Sequence, residues 1–152
     1  MIFIVRHAHA GNRGDWSGPD RKRPLSHKGT LQSKALAEYL ARKGAKHIYT
    51  SPYLRCVQTV APLAHQIAKG YLDVPELAEG AAPEGAAALL RTAAPGTVIC
   101  SHGDVLQALV GHLAAHGAPI NPSLEIQKAA VWRLKIEDGK IAKARYIPPP
   151  NV

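Results

Sequence analysis

The feature that most constrains this sequence is the recurrence of short β-rich runs, each followed by a turn and then by a stretch with helical spacing. Ile2-Phe3-Ile4-Val5, His47-Ile48-Tyr49-Thr50 and Thr97-Val98-Ile99-Cys100 are such runs. Unbroken β-branched and apolar runs fit strands buried on both faces, as in a parallel sheet. After the first run, His9 to Pro24 is rich in Gly, Asp, Arg and Pro and reads as a loop. Ser26 can cap a helix along which Leu31, Ala35, Leu36, Tyr39 and Leu40 recur, with Gly44 ending it. Ser51-Pro52 opens a second helix carrying Val57, Val60, Ala61, Ala64 and Ile67, and Pro62 inside it should kink or break it.

Tyr71 to Val74 reads as a weak strand, Leu77 to Pro83 as a loop and Glu84 to Ala93 as an alanine-rich helix. Asp104 to His116 is a further helix, closed by Gly117. Ala129 to Ile136 and Lys140 to Tyr146 flank Asp138-Gly139, a hairpin signal. Strands alternating with helices predict an α/β three-layer sandwich, with a mostly parallel, mixed central sheet and helices on both faces. The expected organisation is one domain over residues 1–147 and a Pro-rich tail over residues 148–152.

With 152 residues, 46% of them hydrophobic, the chain can bury a core without staples, and a disordered chain is excluded. The apolar opening Met1–Val5 meets Arg6 and His7 at once, too short for a signal peptide or a spanning helix, so no membrane role is expected. Cys56 and Cys100 lie far apart beside apolar residues, which fits two buried thiols in a reducing cytoplasm rather than a disulfide scaffold. Lys and Arg outnumber Asp and Glu 19 to 11, and that field attracts anionic partners. Aromatics make up only 5% of the chain, with Trp16 alone near the basic loop, so nucleic acid is not the expected partner.

In open α/β sheets, function gathers at the carboxyl ends of the strands. Those ends carry Arg6-His7, then Ser51-Pro52-Tyr53-Leu54-Arg55, then Glu76 and Glu79, then Ser101-His102-Gly103. A neutral imidazole is a competent nucleophile, guanidinium groups hold phosphoryl oxygens bidentately, and a carboxylic acid can protonate a leaving oxygen. A helix beginning just past His102 would aim backbone N–H groups at an anion.

The segments Arg6-His7, Arg23-Pro24-Leu25-Ser26-His27-Lys28-Gly29, Ser51-Pro52-Tyr53-Leu54-Arg55-Cys56-Val57-Gln58-Thr59 and Ser101-His102-Gly103 carry a resemblance. Together they resemble the histidine phosphatase superfamily, also called phosphoglycerate-mutase-like, over nearly the whole chain. The short length is similar to the SixA type of phosphohistidine phosphatase and to the phosphatase domain joined to some Nudix hydrolases. The resemblance implies that His7 becomes phosphohistidine, that Arg6, Arg55 and His102 complete a phosphate pocket, and that no cofactor is needed. It also implies a carboxylate proton donor, matched by position to Glu79, with Glu76 and Glu84 close in sequence. The family usually has Arg-His-Gly, and here Ala8 stands in place of the glycine.

The reaction implied is metal-independent hydrolysis of a phosphorylated protein, a nucleotide or a small phosphoester. The alternatives are a phosphate-binding module without turnover and a phosphomutase, the latter disfavoured because the chain has no room for a lid that keeps water out. His7 and His9 alternate, but no third ligand stands at zinc-like spacing. His27, His47 and His65 read as surface or boundary residues, and His112 and His116 as ordinary helix residues. Arg13, Arg21, Lys22 and Arg23 read as a rim that guides substrate, or else as a solvated loop face.

Overall fold

A computed structural model describes residues 1–152. Six strands form one sheet in the order β3-β2-β4-β1-β5-β6. They are β1 (Ile2–Arg6), β2 (His47–Thr50), β3 (Leu72–Asp73), β4 (Thr97–Ser101), β5 (Val131–Glu137) and β6 (Lys140–Ile147). The helices are α1 (His27–Arg42), α2 (Leu54–Gln66), α3 (Pro83–Arg91) and α4 (Gly103–Ala115). β3, β2, β4 and β1 run parallel, whereas β5 is antiparallel to both its neighbours, β1 and β6, so the sheet is mixed as the sequence predicts.

The runs of β1 and β4 are buried on both faces and their side chains divide between two cores, whereas β2 buries Ile48 and Thr50 and leaves His47 exposed. Phe3, Val5, Val98 and Cys100 pack with Leu36 and Leu40 of α1 and with Val60 and Leu63 of α2. Ile2, Ile4 and Ile99 pack on the other face with Ala86 and Ala87 of α3 and with Leu106 and Leu109 of α4. Each fully buried aliphatic side chain contributes about 1.5–3 kcal/mol relative to leaving it exposed.

This division positions the site. β1 and β4 are neighbours, with Arg6 beside Ser101. The chain leaves β1 toward α1 on one face and leaves β4 toward α4 on the other. Between the diverging connections a crevice opens at the carboxyl ends of the strands, the usual ligand position in such sheets.

Local details follow from residue chemistry. Ser26 Oγ accepts from the Gly29 N–H at 3.1 Å, the predicted cap. A Cβ at Gly29 would lie 1.9 Å from the His9 carbonyl oxygen, so glycine lets the loop lie against α1. Asp138 and Gly139 both have positive φ (52° and 74°), as a tight hairpin turn demands.

Pro62 does not break α2, which is helical from Leu54 to Gln66. Burial of Leu63 and Ala64 beyond the proline offsets its cost of about 3 kcal/mol. The segment predicted as an open loop contains two short 3-10 turns, Arg13–Asp15 and Asp20–Lys22. The third strand is shorter than Tyr71 to Val74. Only Leu72 and Asp73 pair, with Tyr49 and Thr50, and both are exposed at the sheet edge. No helix is long and apolar enough to cross a membrane.

Candidate active site

The crevice is a cavity of about 430 Å³ whose lining contains no hydrophobic residue. Arg6, His7, Arg13, Arg23, Glu79, His102 and Lys128 face it. His7 follows β1 directly and is 5% exposed. Its Nδ1 lies 2.8 Å from the Ala8 carbonyl oxygen, which can only accept. That bond places the proton on Nδ1 and leaves the lone pair on Nε2. Burial lowers the His7 pKa to about 3, and the charges of His102, Arg55 and Arg6 push the same way against the Ala8 carbonyl. The imidazole is therefore neutral at pH 7.

Ala8 fits at the position where the resemblance leads one to expect glycine. It is fully buried and is absent from the residues with left-handed φ, so its methyl group meets no backbone strain. Its N–H donates to Thr59 Oγ1 at 2.9 Å, which ties the His7 turn to α2.

The His102 ring stands 5.4 Å from that of His7, centroid to centroid. His102 Nε2 lies 2.8 Å from Ser51 Oγ, and that hydroxyl also accepts from the Tyr53 N–H. Arg6 Nη1 donates to the Ile126 carbonyl at 2.7 Å. A Cβ at Gly103 would sit 2.8 Å from the Arg6 Cζ, so this glycine lets the guanidinium lie against the start of α4. Four buried side-chain nitrogens lack a protein hydrogen-bond partner; Arg6 Nε and His102 Nδ1 belong to residues that line the cavity, and a third, Arg55 Nε, belongs to a residue that does not. A buried donor left unpaired costs about 1–3 kcal/mol, so such clustering calls for an explanation, and an anion supplies one.

Arg55 differs from its sequence-level placement. It is fully buried and does not line the cavity. Its Nη1 donates to the Asp20 carbonyl at 2.8 Å, and its Nη2 donates to Asp20 Oδ2 at 3.0 Å and Glu79 Oε2 at 3.3 Å. Arg55 thus stands behind the site and organises two carboxylates. Asp20 also accepts from Arg23 and faces Arg13. Burial alone would raise the Asp20 pKa, but the hydrogen bonds from Arg23 and Arg55 and the charges of Arg55 and Arg13 bring it below its ordinary value.

The three carboxylate candidates separate cleanly. Leu77 is buried in the core, and Ser101 Oγ donates to its carbonyl at 2.6 Å. Two residues on, Glu79 reaches the cavity, where Arg13 Nη2 donates to its Oε1 at 2.6 Å. Glu76 is exposed and packs against Gly85, and Glu84 is exposed in the first turn of α3. Neither lines the cavity.

Of the basic loop, Arg13 and Arg23 line the cavity, whereas Arg21 and Lys22 border a separate groove with Trp16. His9 Nδ1 pairs with Ser26 Oγ at 2.6 Å and serves the start of α1. His27, His47 and His65 are exposed, and His112 and His116 stack on each other. Cys56 and Cys100 are free, buried thiols. Sequence reasoning missed Asp20, in a short 3-10 turn, and Lys128, in a turn outside the strands and helices; neither carries a periodic or motif signal.

The chain is 35% identical to an 8-oxo-(d)GTP phosphatase of Mycolicibacterium smegmatis over 99% of its own length and 48% of that protein, so it spans about half of that relative. The protein histidine phosphatase SixA, solved with tungstate, superposes with a TM-score of 0.74 at 21% identity, covering 96% of this chain and 93% of that one. A mycobacterial glucosyl-3-phosphoglycerate phosphatase superposes with a TM-score of 0.69 at 18% identity, covering 96% and 95%. The family model of the histidine phosphatase superfamily (branch 1) matches residues 2–85, the stretch from β1 through Glu79 to the start of α3, and the chain belongs to that superfamily.

Proposed function

We propose that this chain hydrolyses phosphorylated substrates through a phosphohistidine formed on His7. The observation that carries the reading is the neutral His7 imidazole, with Nε2 as its free nitrogen, in a cavity where Arg6 and His102 hold unpaired donors.

The chemistry balances as two displacements. His7 Nε2 attacks phosphorus, and the N–P bond forms as the bond to the leaving oxygen breaks. Arg6, His102 and the N-terminus of α4 stabilise the equatorial oxygens, with Arg55 contributing from behind. Water then attacks phosphorus, the N–P bond breaks and orthophosphate leaves. Glu79 is the acid and base of the cycle. Both of its oxygens accept from guanidinium groups, which fix the orientation of the carboxylate, and as base it takes a proton from the attacking water. To protonate a leaving oxygen it must first be released from Arg13 or Arg55, and an incoming phosphoryl group competes for those arginines. The positive charge needed by the reaction comes from side chains and backbone, so a metal is not required.

The test is turnover of p-nitrophenyl phosphate in EDTA, followed by acid-labile, base-stable labelling of the protein from a radioactive phosphoryl donor. Turnover with the label on His7 is expected. No turnover of any phosphoester or phosphohistidine protein would instead make the chain a phosphate-binding module.

A further inference from the structure

The cavity holds more positive charge than one phosphoryl group needs. Beyond Arg6 and His102, its wall includes Arg13, Arg23 and Lys128, against the carboxylates of Glu79 and Asp104. Arg13 and Arg23 already have carboxylate partners. The Lys128 ammonium has neither a salt bridge nor a hydrogen bond within the protein, although the residue is only partly exposed. Burial lowers its pKa, and Arg6, Arg23, Arg55 and Arg13 all push in the same direction. A partly buried cation facing arginines is unfavourable by itself, and a bound anion offsets that cost.

The backbone holds Lys128 in this place. The next residue, Ala129, is fully buried with φ of 68°, a left-handed conformation that costs a non-glycine residue about 1–3 kcal/mol. Its N–H is shared between the carbonyls of Arg6 and His7, both at 3.1 Å. The Gln127 N–H on the other side donates to the Tyr146 hydroxyl at 3.1 Å. Lys128 is thus fastened directly to the peptide that carries His7, at the cost of local strain. Strain of this kind persists where the surrounding structure over-determines it and gathers at ligand sites.

From these observations we infer that Lys128, with Arg23 in the same cavity wall, forms a second anion subsite that holds a phosphoryl group joined to the scissile one. The substrate class is therefore a phosphoric anhydride, such as the end of a nucleoside diphosphate or inorganic pyrophosphate. In the reaction, His7 Nε2 bonds to the terminal phosphorus, and the bridging P–O bond breaks with its electron pair on the leaving phosphate. Water then cleaves the N–P bond to give orthophosphate. A phosphate leaving group departs without prior protonation. That agrees with a Glu79 whose oxygens both accept hydrogen bonds, and it leaves the new charge to Lys128 and Arg23.

This inference rests on the phosphatase reading, and the experiment separates the two. Wild type, Lys128→Met and Lys128→Arg are compared on pyrophosphate, on a nucleoside diphosphate and on p-nitrophenyl phosphate, with folding checked by thermal melting. In Lys128→Met, the ratio of anhydride to nitrophenyl kcat/KM should fall tenfold or more, and Lys128→Arg should restore most of it. A ratio unmoved in Lys128→Met, or equally low in Lys128→Arg, overturns the inference. Loss of the ratio for the nucleotide but not for pyrophosphate would place the contact on the nucleoside and overturn it as well. If wild type hydrolyses neither these three nor any phosphohistidine protein, the phosphatase reading fails. Calorimetry of pyrophosphate against orthophosphate then still decides the subsite, because pyrophosphate should bind at least tenfold more tightly, with the gap closing in Lys128→Met. Equal affinity for the two anions overturns it.

Discussion

The Asp104 carboxylate accepts a hydrogen bond from the Gly80 N–H at 2.9 Å, fastening the segment that bears Glu79 to the first turn of α4. One helix start therefore positions two parts of the site: the N–H groups beside His102 and the Glu79 carboxyl group in the cavity wall.

Asp104→Ala should loosen that fastening. Asp104 is exposed, so the loss of stability should be small, about 1 kcal/mol or less. Misplacing a reacting group by about 1 Å can cost about 10²-fold in rate, and a partial effect of roughly tenfold in kcat is expected here. Asp104→Asn keeps an oxygen acceptor and should recover most of the rate. Steady-state kinetics on p-nitrophenyl phosphate and a thermal melt check both halves, and equal rates for the alanine variant and wild type would show that the bond does not position Glu79.

Acid should destabilise the protein through His7. Burial lowers its folded-state pKa to about 3, against an ordinary value of 6.5 in the unfolded chain. The unfolded chain therefore binds the additional proton first, and stability falls as pH drops from about 6.5 toward 3. Above 6.5 both states are neutral and the effect vanishes. His7→Gln cannot titrate, so the gap between its stability at pH 7 and at pH 4.5 should be smaller than that of wild type. Urea unfolding at the two pH values measures the gap. The same variant should show no phosphatase turnover while remaining folded.

Arg55→Lys should perform poorly despite keeping the charge. Arg55 is fully buried and divides its donors between the Asp20 carbonyl, the Asp20 carboxylate and Glu79. Lysine has one nitrogen and cannot span those acceptors. Hydrogen bonds to charged groups contribute about 1.5–3 kcal/mol, so losing one predicts a fall of tenfold or more in kcat/KM and weaker vanadate binding. Full activity in Arg55→Lys would mean that only a point charge is needed.

The parts of this site that could be read from the sequence are those attached to strand ends. Arg6, His7 and His102 follow runs buried on both faces, and such runs fix where the chain emerges from the sheet. The serine of Ser51-Pro52 and the arginine three residues past the proline followed from the same logic. The role of Arg55 did not, because it depends on Asp20, 35 residues away in a segment without period. Lys128 was illegible for the same reason, since its placement follows from the strained Ala129 and from bonds to the His7 backbone. Pro62 misled because the burial of Leu63 and Ala64 outweighs a local rule.

The proton donor gives the last test. Glu79 is the one candidate among Glu76, Glu79 and Glu84 that lines the cavity. An alkyl phosphate leaves as a basic alkoxide and needs an acid, whereas nitrophenolate departs readily. Glu79→Gln preserves the shape but can neither donate nor take up a proton. It should slow alkyl phosphate turnover far more than nitrophenyl phosphate turnover, since general acid catalysis contributes about 10²–10⁴-fold. Some loss on nitrophenyl phosphate is also expected, because water attack on phosphohistidine loses its base. That loss should appear as a burst of nitrophenolate matching the enzyme concentration, followed by slow release. Glu76→Gln and Glu84→Gln should show neither effect, being exposed and outside the cavity. Equal losses on both esters in Glu79→Gln, without a burst, would remove Glu79 from proton transfer and leave it as a partner that holds Arg13 and Arg55 in place.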